Sequence, residues 1–218
     1  MVLELVCGID EVGRGAWAGP VVAASCVLLE GDWPQGMTES KRASPRRRAE
    51  WNSLLVSGRR VAFGIGIVPS EEIDRIGIHA ANLKSMFLAY QNMCVECEQA
   101  LVDGLHLPDL PIPARAIARG DAKHSQIAAA SILAKEYRDR LMRDYHADWP
   151  MYGWDSNVGY GTSKHHQALD SFGPCPLHRL SYAPCRRAKK EIEKSYPTKD
   201  TPCNRMGNSL GGRLCPLD

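Results

Sequence analysis

Three observations predict an α/β fold. Short apolar segments end at polar or turn residues, longer segments carry helical periodicity, and carboxylates recur where the apolar segments stop. Leu3 to Ile9 is short, apolar and followed by Asp10-Glu11, so it is a core strand with two acids at its end. Pro20 to Leu29, rich in Val and Ala, is a second strand, and Arg60 to Val68, which alternates around Gly64 and Gly66, is a third. Ser44-Pro45 places an N-cap and a first-turn proline ahead of a helix that reaches about Ser57.

Ser70-Glu71-Glu72-Ile73 opens a short helix, and Ile78 to about Gln99 has helical period. Ala100 to Gly104 then reads as a strand that delivers Asp103 to the same kind of position as Asp10. After a loop holding Pro108, Pro111 and Pro113, Arg115 to Ala118 is a short strand. Gly120-Asp121 leads into the longest helix, from about Lys123 to Asp148. Its Ile127 to Lys135 stretch is rich in small residues and suits close packing on a sheet.

The 218 residues, 44% of them hydrophobic, are enough for one large domain with a real core. No run approaches the ~18 apolar residues that span a bilayer, and the N-terminus lacks the pattern of a secretory signal, so a cytoplasmic protein is expected. Of the net charge of +2, residues 186–218 contribute eight Lys or Arg against four Asp or Glu, which leaves −2 on the first 185. The body is therefore not a general polyanion binder. From Tyr196 on, three prolines, three glycines and few apolar residues predict a flexible basic tail. Eight cysteines do not imply disulfides in a chain this long; Cys7 and Cys26 fall in apolar strands and are expected reduced. Cys94 and Cys97 have metal-ligand spacing but no second ligand pair, and they fall in the predicted helix ending near Gln99, so packing is favoured over metal or redox chemistry.

Asp10, Glu11, Asp103 and Asp121 each sit at a predicted strand end or helix start, where α/β folds assemble sites. Four converging carboxylates repel unless they are protonated or neutralised, and hard divalent ions such as Mg²⁺ or Mn²⁺ are their natural partners. For Asp10 and Glu11 to serve one ion, the strand is expected to depart from regular pairing, because successive side chains alternate in face. Gly13 and Gly15 supply backbone freedom there, and Arg14 offers a planar fork for phosphate oxygens. The basic cluster Lys41-Arg42 and Arg46-Arg47-Arg48 either begins a solvated helix or lines a nucleic-acid groove. Two ions about 4 Å apart are the standard device for phosphodiester hydrolysis, which points to a nuclease.

Five blocks, in order, resemble the ribonuclease HII family over roughly residues 3 to 186: GIDEVGRGAWAGPVVAA at 8–24, ESKRASPRRR at 39–48, VDG at 102–104, RGDAKHSQIAAASILAKEYRDRLM at 119–142, and GYGTSKHHQAL with GPCPLHRLSYAP at 159–184. The resemblance implies a ribonuclease H-like α/β core, a central mixed sheet flanked by helices, with a C-terminal helical part. The catalytic domain would then cover 1–186, and the basic Pro/Gly-containing tail 187–218. It implies that Asp10, Glu11, Asp103 and Asp121 bind two ions, one activating water and one stabilising the leaving 3′ oxygen. Gly13, Arg14 and Gly15 would sense the 2′-hydroxyl and flanking phosphates, Lys41 would touch phosphates, and Tyr160 would pack on the sugar at an RNA-to-DNA junction.

The implied activity is an endoribonuclease cutting the RNA strand of RNA–DNA hybrids and 5′ of ribonucleotides embedded in duplex DNA, leaving 5′-phosphate and 3′-hydroxyl ends. Such an enzyme removes misincorporated ribonucleotides and RNA primers. Lys123 and Lys135 lie in the matching blocks, while His124, His165, His166 and His178 are expected as surface or packing residues. Glu39 stands where the family usually has Asp before Ser-Lys. Ribonuclease HIII, the nearest family, usually carries an N-terminal substrate-binding domain for which residues 1–9 leave no room. A noncatalytic hybrid-binding protein would gain nothing from four repelling acids, and a small-molecule phosphatase would leave the basic clusters and Tyr160 without a role. No aromatic pair near the end suggests a sliding-clamp partner, and a monomer is the expected state.

Overall fold

The computed structural model describes residues 5–29, 36–37, 43–57 and 61–195. The expected phosphate contact Lys41 and the tail from Tyr196 lie outside them. The described residues form two compact units, one drawn from those within 5–14, 20–68 and 78–138, the other from those within 15–19, 69–77 and 139–195.

The first unit is built on a five-stranded sheet. Its strands are β1 (Val6–Val12), β2 (Val21–Leu28), β3 (Val61–Val68), β4 (Gln99–Asp103) and β5 (Ala114–Ile117), in the order β3-β2-β1-β4-β5. β1 pairs antiparallel with β2, and β2 with β3, while β1–β4 and β4–β5 are parallel, so the sheet is mixed as the resemblance implied. β2 is buried along almost its whole length, as its unbroken Val-Val-Ala-Ala run requires of a strand covered on both faces.

Alternation along β1 and β2 divides the core. Cys7, Ile9, Ala23 and Val27 pack with Met86 and Ala89 of α3 (Ile78–Gln91), whereas Ala24 and Cys26 pack with Trp51 and Leu55 of α1 (Pro45–Ser57) and with Ala128 to Ala134 of α4 (Ser125–Asp148). The small residues of α4 allow the approach that their composition predicts. At Gly8 of β1, a Cβ would stand 2.2 Å from the Gln126 carbonyl carbon, so the α4 backbone rests directly on the strand. α1 begins as its sequence requires, with Pro45 in the first turn and the Ser44 hydroxyl accepting the Arg47 amide at 3.3 Å.

Two boundaries differ from expectation. α3 ends at Gln91 rather than near Gln99, because Asn92 turns aside to donate to the Ile65 carbonyl at 2.8 Å and the Met93 amide closes a tight turn on Tyr90. Cys94 and Cys97 therefore lie in the connection to β4, not in a helix. β1 continues to Val12 in regular register, with Glu11 opposite Ala23 and Val12 opposite Val22. The expected departure from pairing at Asp10-Glu11 is absent, because β2 supplies a ladder partner for both acids.

The second unit holds α2 (Ser70–Ile76), and its α5 (Trp154–Asn157), α6 (Ser163–Phe172) and α7 (Ala183–Ser195) contribute to a core that includes Met142, Tyr152, Trp154, Leu169 and Cys185. α7 buries Cys185, Ala188 and Ile192 on one stripe and exposes its lysines, the pattern of a surface helix. Asp74 of α2 accepts the Leu180 and Ser181 amides at 2.6 and 2.9 Å, satisfying the turn before α7. Among the described residues no helix is long and apolar enough to cross a membrane, and no disulfide forms.

Candidate active site

β1 outruns its parallel neighbour: the β1–β4 ladder ends at Ile9 opposite Val102, while β1 continues three residues further. The step leaves a cleft of about 370 Å³ lined by Asp10, Glu11, Val12, Arg48, Asp103, Ser131, Ile132 and Lys135. Three of the four predicted acids thus border one cavity.

Because β1 stays regular, Asp10 and Glu11 point to opposite faces, and each meets the helix on its own side. Asp10 is hydrogen-bonded by Ser131 of α4, and Glu11 by Asn82 of α3. Asp103 Oδ1 accepts the Gly120 amide at 2.6 Å, which ties β4 to the 3₁₀ turn Gly120–Ala122 that carries Asp121. Entry to that turn requires Arg119 in the left-handed region at φ 55°. Asp121 is buried in the turn, next to the residue that anchors Asp103, but does not line the cleft itself.

Burial raises the Asp10 carboxyl well above the usual carboxylate range, and the charges of Glu11 and Asp103 raise it further. Burial and the Asp103 charge raise Glu11 in the same direction, while Arg14 opposes the shift. A divalent cation would oppose the charge repulsion and favour both ionised forms. Hard carboxylate oxygens are also the donors Mg²⁺ and Mn²⁺ prefer, so the donor set fits such ions. Among the described residues no three His, Cys, Asp or Glu side chains form a ready-made ion cage, and Mg²⁺ is commonly held by one or two carboxylates with water filling its remaining positions. Arg48 borders the cleft while paired with Glu136 at 3.5 Å.

Gly13 has φ 90°, and a Cβ there would fall 2.1 Å from Arg138 Nε. Arg138 is fully buried and donates from Nε to the Pro20 carbonyl at 2.9 Å, so it fixes the turn that presents exposed Arg14. Lys123 Nζ is held by the Ala118 carbonyl at 2.8 Å.

In the second unit, Trp17 and Ala18 donate their amides to the Gly159 carbonyl at 2.8 and 3.3 Å, and the Gly19 amide donates to Leu177 at 2.8 Å. Buried Arg179 grips the Gly19 carbonyl from Nε and Nη2. This segment runs beside the half-buried Tyr160, whose ring lies 4.0 Å from the position of a Cβ on Gly15.

Sequence reasoning did not single out Ser131, Asn82, Arg138 or Arg179, and it had Arg48 only as a member of the basic cluster Arg46-Arg47-Arg48. Ser131 had a signal: it is the one hydroxyl within the small apolar run Ile127 to Ala134. Asn82 and the buried arginines had none, because their partners lie far along the chain.

The family model of ribonuclease HII matches residues 7–185. A ribonuclease HII of Chlamydia abortus is 49% identical over 184 residues, covering 84% of this chain and 86% of that protein. Among solved structures, the ribonuclease H2 of Pyrococcus horikoshii superposes with a TM-score of 0.73 at 22% identity, covering 87% of this chain and 99% of that one. The ribonuclease HII of Archaeoglobus fulgidus, solved in complex with PCNA, gives 0.60 at 25% identity over 76% and 86% of the two chains. Bst ribonuclease HIII in complex with Mn²⁺ gives 0.67 at 15% over 88% and 71%.

Proposed function

Because this chain belongs to the ribonuclease HII family, and so is a ribonuclease of the H type, we propose that it hydrolyses the RNA strand of RNA–DNA hybrids and cuts 5′ of single ribonucleotides in duplex DNA. The products carry 5′-phosphate and 3′-hydroxyl ends, and the cleavage serves to remove misincorporated ribonucleotides and RNA primers from DNA. The cleft bordered by Asp10, Glu11 and Asp103 carries this reading, because a pure binding protein gains nothing from mutually repelling buried acids beside phosphates.

Asp10, Glu11, Asp103 and Asp121 would hold Mg²⁺ or Mn²⁺, two ions in the active state, with Asp121 brought in through its link to Asp103. When bound, such ions supply Lewis-acid stabilisation of charge at the scissile phosphate and its leaving oxygen. The remaining groups bind and orient. Arg14, held out by the Gly13 turn, contacts phosphate oxygens, and the Gly13-Arg14-Gly15 backbone reads the 2′-hydroxyl that separates RNA from DNA. Tyr160 packs on the sugar at the junction, and Lys41 neutralises a phosphate. The protein acts as a monomer in the cytoplasm.

The test is an RNA–DNA hybrid, its RNA strand 3′-labelled, incubated with the protein and Mg²⁺, Mn²⁺ or chelator, followed by end-group analysis of the labelled fragments. Metal-dependent fragments with 5′-phosphates support the reading. Stable binding with no cleavage in either metal would replace it with a hybrid-binding role.

A further inference from the structure

Inside the second unit, two histidines far apart in sequence meet, His165 Nε2 and His178 Nε2 standing 3.0 Å apart. Both are buried, at 0% and 2% exposure, among Trp17, Tyr152 and Trp154. Their other contacts assign every proton. The Cys175 amide donates to His178 Nδ1 at 3.0 Å, so that nitrogen is an acceptor and the proton of a neutral His178 is on Nε2. His178 Nε2–H then donates to His165 Nε2, which leaves the His165 proton on Nδ1. His165 Nδ1–H donates in turn to the backbone carbonyl of Tyr160 at 3.0 Å. Burial lowers the affinity of both rings for a second proton, and a charge on His165 further opposes protonation of His178.

The receiving end of this chain is a strained loop. Val158 has φ 43°, a left-handed conformation that a β-branched residue rarely adopts, and Gly159 follows at φ 87°. The Tyr160 amide donates to Asn157 at 2.9 Å, and the Tyr160 carbonyl accepts a second bond, from the Thr162 amide at 2.9 Å. A left-handed pair before Tyr160 persists only where its surroundings over-determine it.

We propose that His165 and His178 are positioning residues for Tyr160: in fixed tautomers they relay a hydrogen bond from the Cys175 amide to the Tyr160 carbonyl and so set the tyrosine against the sugar at the RNA-to-DNA junction. The inference rests on the substrate role of Tyr160 given above. The pair acts through Tyr160 and touches no substrate.

Two substitutions separate relay from packing. His165→Asn keeps a donor near the Nδ1 position for the Tyr160 carbonyl, while His165→Gln keeps an acceptor near the Nε2 position and loses that donor. Rates are measured on a duplex with one ribonucleotide and on a uniform RNA–DNA hybrid, for both variants, Tyr160→Ala and the double variant Tyr160→Ala/His165→Gln. The relay predicts that His165→Gln lowers the junction-to-hybrid ratio about tenfold, as a small misplacement of a positioning group does. It also predicts that His165→Asn keeps the ratio and that the double variant falls no further than Tyr160→Ala. A ratio lowered by Tyr160→Ala but not by His165→Gln, or lowered equally by Asn and Gln, would overturn the relay while leaving the Tyr160 role standing. An unchanged ratio in Tyr160→Ala would remove both. Ring ¹⁵N NMR of the unsubstituted protein needs no variant: His165 protonated at Nδ1 and His178 at Nε2 supports the relay, and any other tautomer pair contradicts it.

Discussion

Asp10 and Glu11, neighbours in β1, stand on opposite faces of the sheet, the first hydrogen-bonded by Ser131 of α4 and the second by Asn82 of α3, yet both border the cleft that also holds Asp103. A regular strand that outruns its parallel partner achieves this. At such an end both faces of the strand open on the same space, so alternation does not separate the two acids.

This arrangement opposes stability in the metal-free protein. Burial raises both carboxyls, the charges of Glu11 and Asp103 raise Asp10 further and that of Asp103 raises Glu11, so the folded state holds protons that the unfolded chain releases near pH 4. Stability from this pair is greatest at low pH and falls as pH rises through the raised folded values. Asp10→Asn should therefore raise the melting temperature of the metal-free protein at neutral pH, by about 2–4 °C for each kcal/mol of repulsion removed. The same variant should lose cleavage and keep duplex binding. Thermal unfolding with and without Mg²⁺ checks it, and a metal-induced rise in melting temperature that survives in Asp10→Asn would remove Asp10 from the ligands.

Metal binding should release protons, because ligation needs the ionised carboxylates. Apparent Mn²⁺ affinity should accordingly rise with pH through the range in which Asp10 and Glu11 titrate, then level off. Calorimetric titration in buffers of different ionisation enthalpy measures the proton count. A count of zero near the lower end of that range would contradict the raised carboxyls.

Gly13→Ala should be among the most damaging single changes outside the acids. Its Cβ would meet Arg138 Nε at 2.1 Å in a backbone that already has φ 90°. The cost should reach a few kcal/mol, the range for strain and overpacking together. Arg14→Ala, by contrast, removes an exposed side chain whose charge favours ionised Glu11, and should cost far less stability than Gly13→Ala while weakening discrimination for the ribonucleotide. Equal selectivity in Arg14→Ala and the unsubstituted protein would refute the phosphate contact.

The buried histidines predict an acid-side loss of opposite sign to that of Asp10 and Glu11. Their folded values are lowered, so below about pH 6.5 the unfolded chain takes up protons that the folded protein refuses. Stability should fall by up to about 1.4 kcal/mol per pH unit for each histidine as the pH drops. His178→Gln should show a shallower slope between pH 6.5 and 5 in denaturant titrations.

The elements were legible in the sequence where period and punctuation agreed. The apolar run of β2, the Ser44-Pro45 start of α1 and the small-residue face of α4 all stand where their chemistry places them. The end of α3 was not legible, because the signal that stops it is a side-chain bond from Asn92 to a carbonyl in β3. The acids were legible as strand-end carboxylates, but their mode of convergence was not, since it depends on the unequal lengths of β1 and β4. The proton order of His165 and His178 was beyond reach for a similar reason: it is set by Cys175 and Tyr160 together, and no local pattern links the four.

The most direct measurement is to incubate the protein with Mg²⁺ or Mn²⁺ and a labelled DNA duplex containing one ribonucleotide, beside an all-DNA duplex, and map the cut. Metal-dependent incision immediately 5′ of the ribonucleotide, absent from the all-DNA control and from Asp10→Asn, is the result predicted. Incision of both duplexes, or activity that persists in Asp10→Asn, would contradict the assignment of the cleft.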